Sequence, residues 1–308
     1  MRILLTGAKG QLGWEILKQA PDHALDCIGI DIEDADITNP DQVNRVIADT
    51  RPDLLINSAA YTRVDAAETD TKAAFAVNRD AAGHIADTCA AKRIPLLHIS
   101  TDFVFDGKKT APYVETDPVA PLSVYGQSKA AGEDAVRKAL NRHLIIRTAW
   151  LYGVHGNNFV KSMLRLSRNN NQLRVVSDQV GCPTFAADLA ESLLALCHRI
   201  GDQKAVQWGT YHLCGRGEVS WHGFAESIFE IAGRLGMAAN VKVAPISTPE
   251  YPTPALRPAF SVLSCQKIRA QFGIDPPPWR ASLEKMLKRL SKNEKNRPDE
   301  SPQTLQKN

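Results

Sequence analysis

The sequence predicts an α/β protein, a doubly wound parallel sheet followed by a smaller C-terminal lobe. Three observations carry that expectation. Short apolar runs alternate with longer helical stretches through the first half of the chain. A glycine trio, Gly7-Ala8-Lys9-Gly10-Gln11-Leu12-Gly13, stands between the first strand and the first helix. A Tyr-x-x-x-Lys pair, Tyr125 and Lys129, lies at the start of a later helix.

The elements follow in order. Residues 2–6 form a strand that enters the glycine loop. Gly7 permits the tight turn, Gly10 lets backbone approach a pyrophosphate, and Gly13 allows close helix–strand packing. The next helix then presents free N–H groups to an anion. A second strand, 25–30, ends in Asp31, about 20 positions on, where a carboxylate accepts hydrogen bonds from a ribose hydroxyl. This context makes the trio a dinucleotide site of the Rossmann type. Asp36 is either a turn residue or, with Ile37, a neighbour of an adenine ring. Asn39-Pro40 opens a helix to about Asp49. The third strand, 54–56, releases Asn57 through Tyr61, whose small residues Ala59 and Ala60 let a cofactor cross the sheet edge. The alanine-rich run 73–91 reads as one long packing helix. Within it, Asn78 is either a surface residue or a core amide bracing backbone.

The fourth strand, 95–99, ends in Ser100-Thr101-Asp102, at the carboxyl edge where open α/β sheets bind ligands. Thr101 either satisfies its own turn or holds a carbonyl oxygen beside Tyr125. Tyr125 and Lys129 share one helix face, being about one turn apart. A phenol holds its proton to about pH 10, and a nearby ammonium makes it a readier donor. Such an acid suits an oxygen that becomes an alkoxide when a carbonyl accepts hydride. A fifth strand, 144–146, leads to Trp150, either core or ligand platform. Val175-Val176 is a further strand, and 178–184 is a loop before a helix at 187–198. From Tyr211 follow a strand, a helix over 221–235, a proline-rich loop over 245–258 that carries Arg257, and a last helix over 279–290. Arg257 either meets a phosphate or is a surface arginine. Residues 1–150 are thus mainly the dinucleotide-binding core, 151–290 mix further core elements with the lobe, and 291–308 read as a disordered tail.

Composition narrows the partners. A chain of 308 residues buries a large core, and 44% hydrophobic with 23% charged residues is ordinary for a soluble protein. A net charge of +3 from scattered basic residues argues against nucleic acid. No apolar run reaches the roughly 20 residues that span a bilayer, and the N-terminus has no signal-peptide pattern. Six cysteines without Cys-x-x-Cys spacing are expected to be reduced thiols in a cytosolic protein.

Taken together, the glycine loop, the Thr101 strand end and Tyr125-x-x-x-Lys129 resemble the extended short-chain dehydrogenase/reductases. Within them, Gly10 to Glu15, Asn57 to Thr62, Ser100 to Gly107, Tyr125 to Lys129, Arg147 to Gly153 and Asp178 to Thr184 resemble the branch that reduces dTDP-linked 4-keto-6-deoxy-L-sugars. The resemblance implies NADPH or NADH as cofactor and a dTDP-sugar, dTDP-4-dehydro-6-deoxy-L-mannose, as substrate. It implies catalysis by Tyr125, Lys129 and Thr101. Cofactor contacts carry over to Gly7, Gly10, Gln11, Leu12, Gly13, Asp31, Asp36, Ile37, Ala59, Ala60, Tyr61, Ile99, Tyr125 and Lys129, and sugar contacts to Thr101, Asp102, Trp150 and Arg257. Asp31 favours NADH by repelling a 2′-phosphate, whereas Lys9 would pair with one. Some members bind Mg2+ through surface glutamates at a homodimer contact. Glu15, Glu191 and Glu284 are candidate counterparts, of which only Glu15 sits in a firm motif, and solvated carboxylates without metal are the preferred reading. Ser264 stands where that branch is expected to carry aspartate.

Two other classes compete. A dehydratase of this fold needs an Asp-Glu pair after the threonine, and here Asp102 is followed by Phe103. An epimerase would recycle its cofactor rather than consume it. A non-catalytic subunit resembling the methionine adenosyltransferase β subunit is expected to carry extra sequence before the glycine loop and has no need of both Tyr125 and Lys129.

Overall fold

The computed structural model describes residues 1–202, 206–238 and 241–295, with the side chains of 294 and 295 excepted. The chain runs β1 (Arg2–Thr6), α1 (Gln11–Gln19), β2 (Asp26–Ile30), α2 (Pro40–Thr50), β3 (Leu54–Asn57), α3 (Val64–Ala67), α4 (Thr71–Phe75), α5 (Ala81–Lys92) and β4 (Leu96–Thr101). Next come α6 (Val124–Ala139), β5 (His143–Thr148), β6 (Leu151–Tyr152), α7 (Phe159–Leu166), β7 (Gln172–Val176), β8 (Val180–Gly181), β9 (Thr184–Phe185) and α8 (Ala186–Gly201). The rest is β10 (Gly209–His212), β11 (Val219–Ser220), α9 (Trp221–Arg234), β12 (Lys242–Ile246), α10 (Gln266–Phe272) and α11 (Trp279–Lys295).

Six strands make one parallel sheet in the order β10-β5-β4-β3-β1-β2. Its strands are apolar on both faces, as helices on both sides require. Ile3, Leu5, Ile56, Leu97 and Ile146 pack on one side against Ile16 of α1 and Leu193 of α8. Leu4, Leu55, Leu96 and Ile145 pack on the other against α2, α5 and Val136 of α6. From β1 the chain goes to β2 on one side and returns to β3 on the other, so a crevice opens at the carboxyl ends of β1 and β3.

A second core forms the lobe, where Val160 and Met163 of α7, Phe224 and Ile228 of α9, and Leu283 and Leu287 of α11 pack with β7. There β7 pairs in parallel with β12, and Pro245 stands opposite Val175. The proline-rich stretch expected as loop therefore begins as a strand, tolerated because a two-stranded sheet leaves the proline an unpaired side.

The helix expected over 73–91 is broken into α4, a π-helical turn at Ala76–Asp80, and α5. That turn presents Asn78 inward. Its side chain is buried, accepts from Tyr61 N at 2.9 Å, and donates to Tyr61 O at 3.1 Å and to Ser128 Oγ at 2.9 Å. Asn78 is thus a core brace between the loop after β3 and α6. The last helix passes the expected end at 290 and reaches Lys295, so residues 291–295 are helical, and 296–308 lie outside the described residues. Among the described residues, no helix is long and apolar enough to cross a membrane.

Candidate active site

The carboxyl ends of β1 to β5 line a cleft of about 910 Å³. At its floor, the N-terminus of α1 begins at Gly10 in extended conformation, with no side chain capping it and no acidic residue in its first turn. Free N–H groups at a helix start attract an anion. Close packing holds them there. A Cβ at Gly13 would lie 2.2 Å from Gly7 O, and one at Gly7, itself at φ +73°, would lie 2.7 Å from Ala59 N. Small residues let the glycine loop and the loop after β3 touch, and the cradle fits the pyrophosphate of a dinucleotide. Asp31, at the end of β2, accepts from Lys9 N at 2.8 Å and from Ile32 N at 2.9 Å. Asp36 does what a turn residue does, accepting from Thr38 N and Thr38 Oγ1, while it and Ile37 also line the cleft. Lys9 is paired on the surface with Glu33.

The opposite wall carries the reactive groups. Ser123 caps α6 by accepting from Gly126 N, which fixes the helix start. A Cβ at Gly126 would fall 2.3 Å from Phe103 O, so the first turn of α6 lies directly on the short helical turn Asp102–Val104. The Phe103 ring meets Tyr125 edge-on at 5.5 Å. That contact sets Tyr125 beside Thr101, and the two side chains line the cleft together. Thr101 also satisfies its own turn, accepting from Phe103 N at 3.2 Å and donating to Asp102 Oδ1 at 3.1 Å. The turn reading of Thr101 therefore holds, and the same hydroxyl lies in the cleft with Tyr125.

One turn below, Lys129 is buried and donates to Ile99 O at 2.7 Å. Burial pushes its ammonium down to about 8, opposed by the charge of Glu133. The phenol is set differently from the sequence expectation. Burial pushes Tyr125 up to about 12, the Thr101 hydroxyl beside it pulls the other way, and the Asp102 charge adds to the rise. In this geometry desolvation, not the lysine, dominates the acid. Asp102 is itself buried, and its carboxyl is pushed up to about 6 against hydrogen bonds from Ser261 and Thr101.

Every cofactor residue expected from the sequence lines this cleft, as do Thr101, Asp102 and Trp150. Arg257 does not. Its guanidinium grips Asp65 with two hydrogen bonds of 3.0 and 2.8 Å and so ties the 247–258 loop to α3. Sequence reasoning missed two features. Trp221 lines the cleft from the lobe, and no local motif marks it. Glu133, which binds Arg147 and Ser100 behind Lys129, had a legible signal, for it stands one further turn along the Tyr125–Lys129 face. Of the glutamates weighed as metal ligands, Glu191 and Glu284 are solvent-facing and pair with His23 and Lys288, but Glu15, expected to be solvated, is buried under the α1–α8 packing and accepts from Gln19. Among the described residues, no group of three or more His, Cys, Asp or Glu side chains is arranged to hold a metal ion.

A dinucleotide cradle facing a Thr–Tyr–Lys constellation on one parallel sheet defines the short-chain dehydrogenase/reductase class. The RmlD substrate binding domain model matches residues 1–292. The chain is 43% identical over 293 residues to the dTDP-4-dehydrorhamnose reductase of Sinorhizobium fredii, an alignment covering 93% of this chain and 97% of that one. Its structure is similar to that of a dTDP-4-dehydrorhamnose reductase from Clostridium acetobutylicum, with TM-score 0.88 and 39% identity over 94% of this chain and 99% of that one. It is also similar to the enzyme of that name from Bacillus anthracis, solved in complex with NADP, with TM-score 0.87 and 38% identity over 94% and 99% of the two chains. The chain belongs to the dTDP-4-dehydrorhamnose reductase family.

Proposed function

We propose that the chain reduces the C4 ketone of dTDP-4-dehydro-6-deoxy-L-mannose to dTDP-L-rhamnose at the expense of NADPH or NADH. The observation that carries this reading is the grouping of Thr101, Tyr125 and buried Lys129 on one wall of the cleft, across from the uncapped α1 terminus. Residues Gly10, Gln11 and Leu12 would hold the cofactor pyrophosphate, and Asp31 a ribose. When bound, the reduced nicotinamide supplies hydride to the ketone carbon.

The protein's own groups handle the oxygen. As negative charge builds there, Thr101 hydrogen-bonds it and Tyr125 gives up its proton. A phenol at about 12 is fully protonated at neutral pH. It is still a much stronger acid than the sugar alcohol being formed, so transfer to the nascent alkoxide runs downhill. Lys129, held by Ile99 O beneath the phenol, supplies positive charge toward the tyrosinate left behind. The lobe built on α7, α9 and α11 would close over the sugar nucleotide, with Asp102 and Trp150 at the hexose. A cytosolic location accords with six cysteines that are all free thiols.

The test is turnover with purified protein, the dTDP-4-keto sugar and NADPH or NADH, followed by absorbance and product identification. Tyr125→Phe is expected to lower kcat by about 10²-fold or more while leaving the cofactor Kd within a few-fold. Near-normal kcat in that variant would remove Tyr125 from the acid role.

A further inference from the structure

The proton-transfer chemistry gives no task to the loop 153–158, between β6 and α7, yet that loop lies against the glycine loop. His155 Nε2 donates to Lys9 O at 3.0 Å, and its ring stacks on Trp14 of α1 with centroids 5.3 Å apart and planes 2° from parallel. Asn158 Nδ2 donates to Gln11 Oε1 at 2.9 Å. A Cβ at Gly156 would stand 3.0 Å from Gln11 Cγ. Gly156 and Asn157 line the cleft with Lys9, Gly10 and Gln11, so this loop forms a second lip of the cradle.

The lip is stiff from within. Lys161 Nζ, in the first turn of α7, donates to Val154 O at 3.2 Å and to Gly156 O at 2.6 Å. Asn158 donates to Gly153 O at 2.8 Å and caps α7 by accepting from Lys161 N at 3.1 Å. Lys161 N only donates and Gly153 O only accepts, so the Asn158 amide has one orientation and Gln11 must turn its oxygen to it. A single side chain thus holds the glycine loop, the lip and the helix start together.

The next residue carries the contact onward. Phe159 packs on Trp221 at 4.6 Å and stacks on Phe224 at 5.7 Å, both on α9 of the lobe. Trp221 stacks in turn on Trp150, with centroids 3.4 Å apart, and both indoles line the cleft. Trp150 lies two residues past Thr148, the register partner of Thr101. One hydrogen bond and a run of packed rings therefore connect the pyrophosphate end of the cleft to its reacting end, and close-packed groups of this kind transmit displacement.

We propose that Asn158 is a positioning residue that ties the cofactor loop to the lobe through Gln11, so that dinucleotide and sugar nucleotide bind cooperatively. This rests on the sugar-nucleotide reading above and adds to it a residue and a coupling. A pyrophosphate seated on Gly10 to Leu12 fixes Gln11, Gln11 fixes the start of α7, and the lobe meets the second ligand already positioned. By linkage, each ligand raises the affinity of the other by the same factor.

The experiment measures the Kd of NADP+ by calorimetry without and with saturating dTDP-L-rhamnose, and that of dTDP-L-rhamnose without and with NADP+. In wild type each ligand is expected to tighten the other about tenfold. Asn158→Ser keeps an oxygen to cap α7 but is too short to reach Gln11, and Gln11→Met keeps the length of the side chain without its oxygen. Each should weaken NADP+ alone about fivefold and cut the coupling to about twofold or less. The double variant should lose no more than either single one, because both remove the same contact. Additive losses in the double variant, or full coupling in either single variant, would overturn the proposal. Binding of both ligands to wild type without coupling would overturn it while leaving the sugar-nucleotide reading in place. Failure of wild type to bind dTDP-L-rhamnose at all would remove that reading and the coupling with it.

Discussion

Behind Lys129, the carboxylate of Glu133 is fully buried and receives four hydrogen bonds. They come from Ser100 Oγ at 2.6 Å, Arg147 Nε at 2.8 Å, Arg147 Nη2 at 2.7 Å and Arg137 Nη2 at 2.6 Å. These bonds join α6 to β4 and β5. Burial alone would raise its pKa, but the paired bonds and charge of Arg147, with Ser100 and Arg137, hold the carboxyl down at about 2. A fall from 4.5 to about 2 corresponds to about 3 kcal/mol of folding stability at neutral pH, at about 1.4 kcal/mol per unit. Because the folded-state pKa is depressed, that contribution is present above the unfolded value, near 4.3, and is lost as pH falls through about 2. Glu133→Gln leaves Arg147, which is 1% exposed, without its counter-charge, and breaking a buried pair in this way costs about 3–5 kcal/mol. The two estimates agree at about 3 kcal/mol. Urea unfolding of wild type and Glu133→Gln at pH 7 should show that gap, and at pH 3 it should shrink to about half. A gap below about 1 kcal/mol at pH 7, or one independent of pH, would refute the view that this carboxylate anchors α6 through ionic contacts.

Asp31→Ala should raise the NADPH-over-NADH ratio of kcat/KM about tenfold, because the carboxylate is the repulsive element against a 2′-phosphate. An unchanged ratio in the steady-state assay would assign the preference elsewhere. Gly13→Ala puts a Cβ 2.2 Å from Gly7 O. Cofactor affinity measured by fluorescence should fall about tenfold or more, since backbone has to move, and an unaltered Kd would show that the cradle is not built by this contact. Gly126→Ala places its Cβ 2.3 Å from Phe103 O. Displacing the acid by about 1 Å is expected to cost about 10²-fold in kcat with the cofactor Kd unchanged, and wild-type kcat would mean that Tyr125 is seated by something else.

What was legible in the sequence shares one property: its parts are local. The glycine trio, Asp31 and Tyr125-x-x-x-Lys129 each act through neighbours a few residues away, and all of them line the cleft. What was missed depends on partners brought from a distance. The π-helical turn at Ala76–Asp80 breaks an alanine-rich run that has every local reason to be straight helix. It exists because Asn78 finds Tyr61 backbone and Ser128, and because Gly132 of α6 has no Cβ to strike Asn78 O, which would be only 2.0 Å away. Arg257 looked free until folding brought Asp65 to it. Trp221 is one aromatic residue at a helix start, and only its stacking on Trp150 gives it a place in the cleft.

The same distinction separates the identity of the acid from its tuning. Spacing alone places an ammonium near a phenol, and the natural inference is a phenol made more acidic. In the folded chain the ammonium is turned to Ile99 O and Glu133 stands one turn behind it, while the phenol is enclosed by Phe103 and Thr101. Enclosure raises the pKa of Tyr125, and it lowers that of Lys129. Both shifts follow from the one physical cause, removal of water from a charged form. The phenol therefore rests protonated and neutral beside an ammonium that holds its proton less tightly than in water. Negative charge arriving on a ketone oxygen in the same dry space meets donors that have no water to satisfy them first, and there the interaction is strongest. Burial that looks adverse for an acid in the resting site is thus the condition that makes proton transfer favourable once the alkoxide forms.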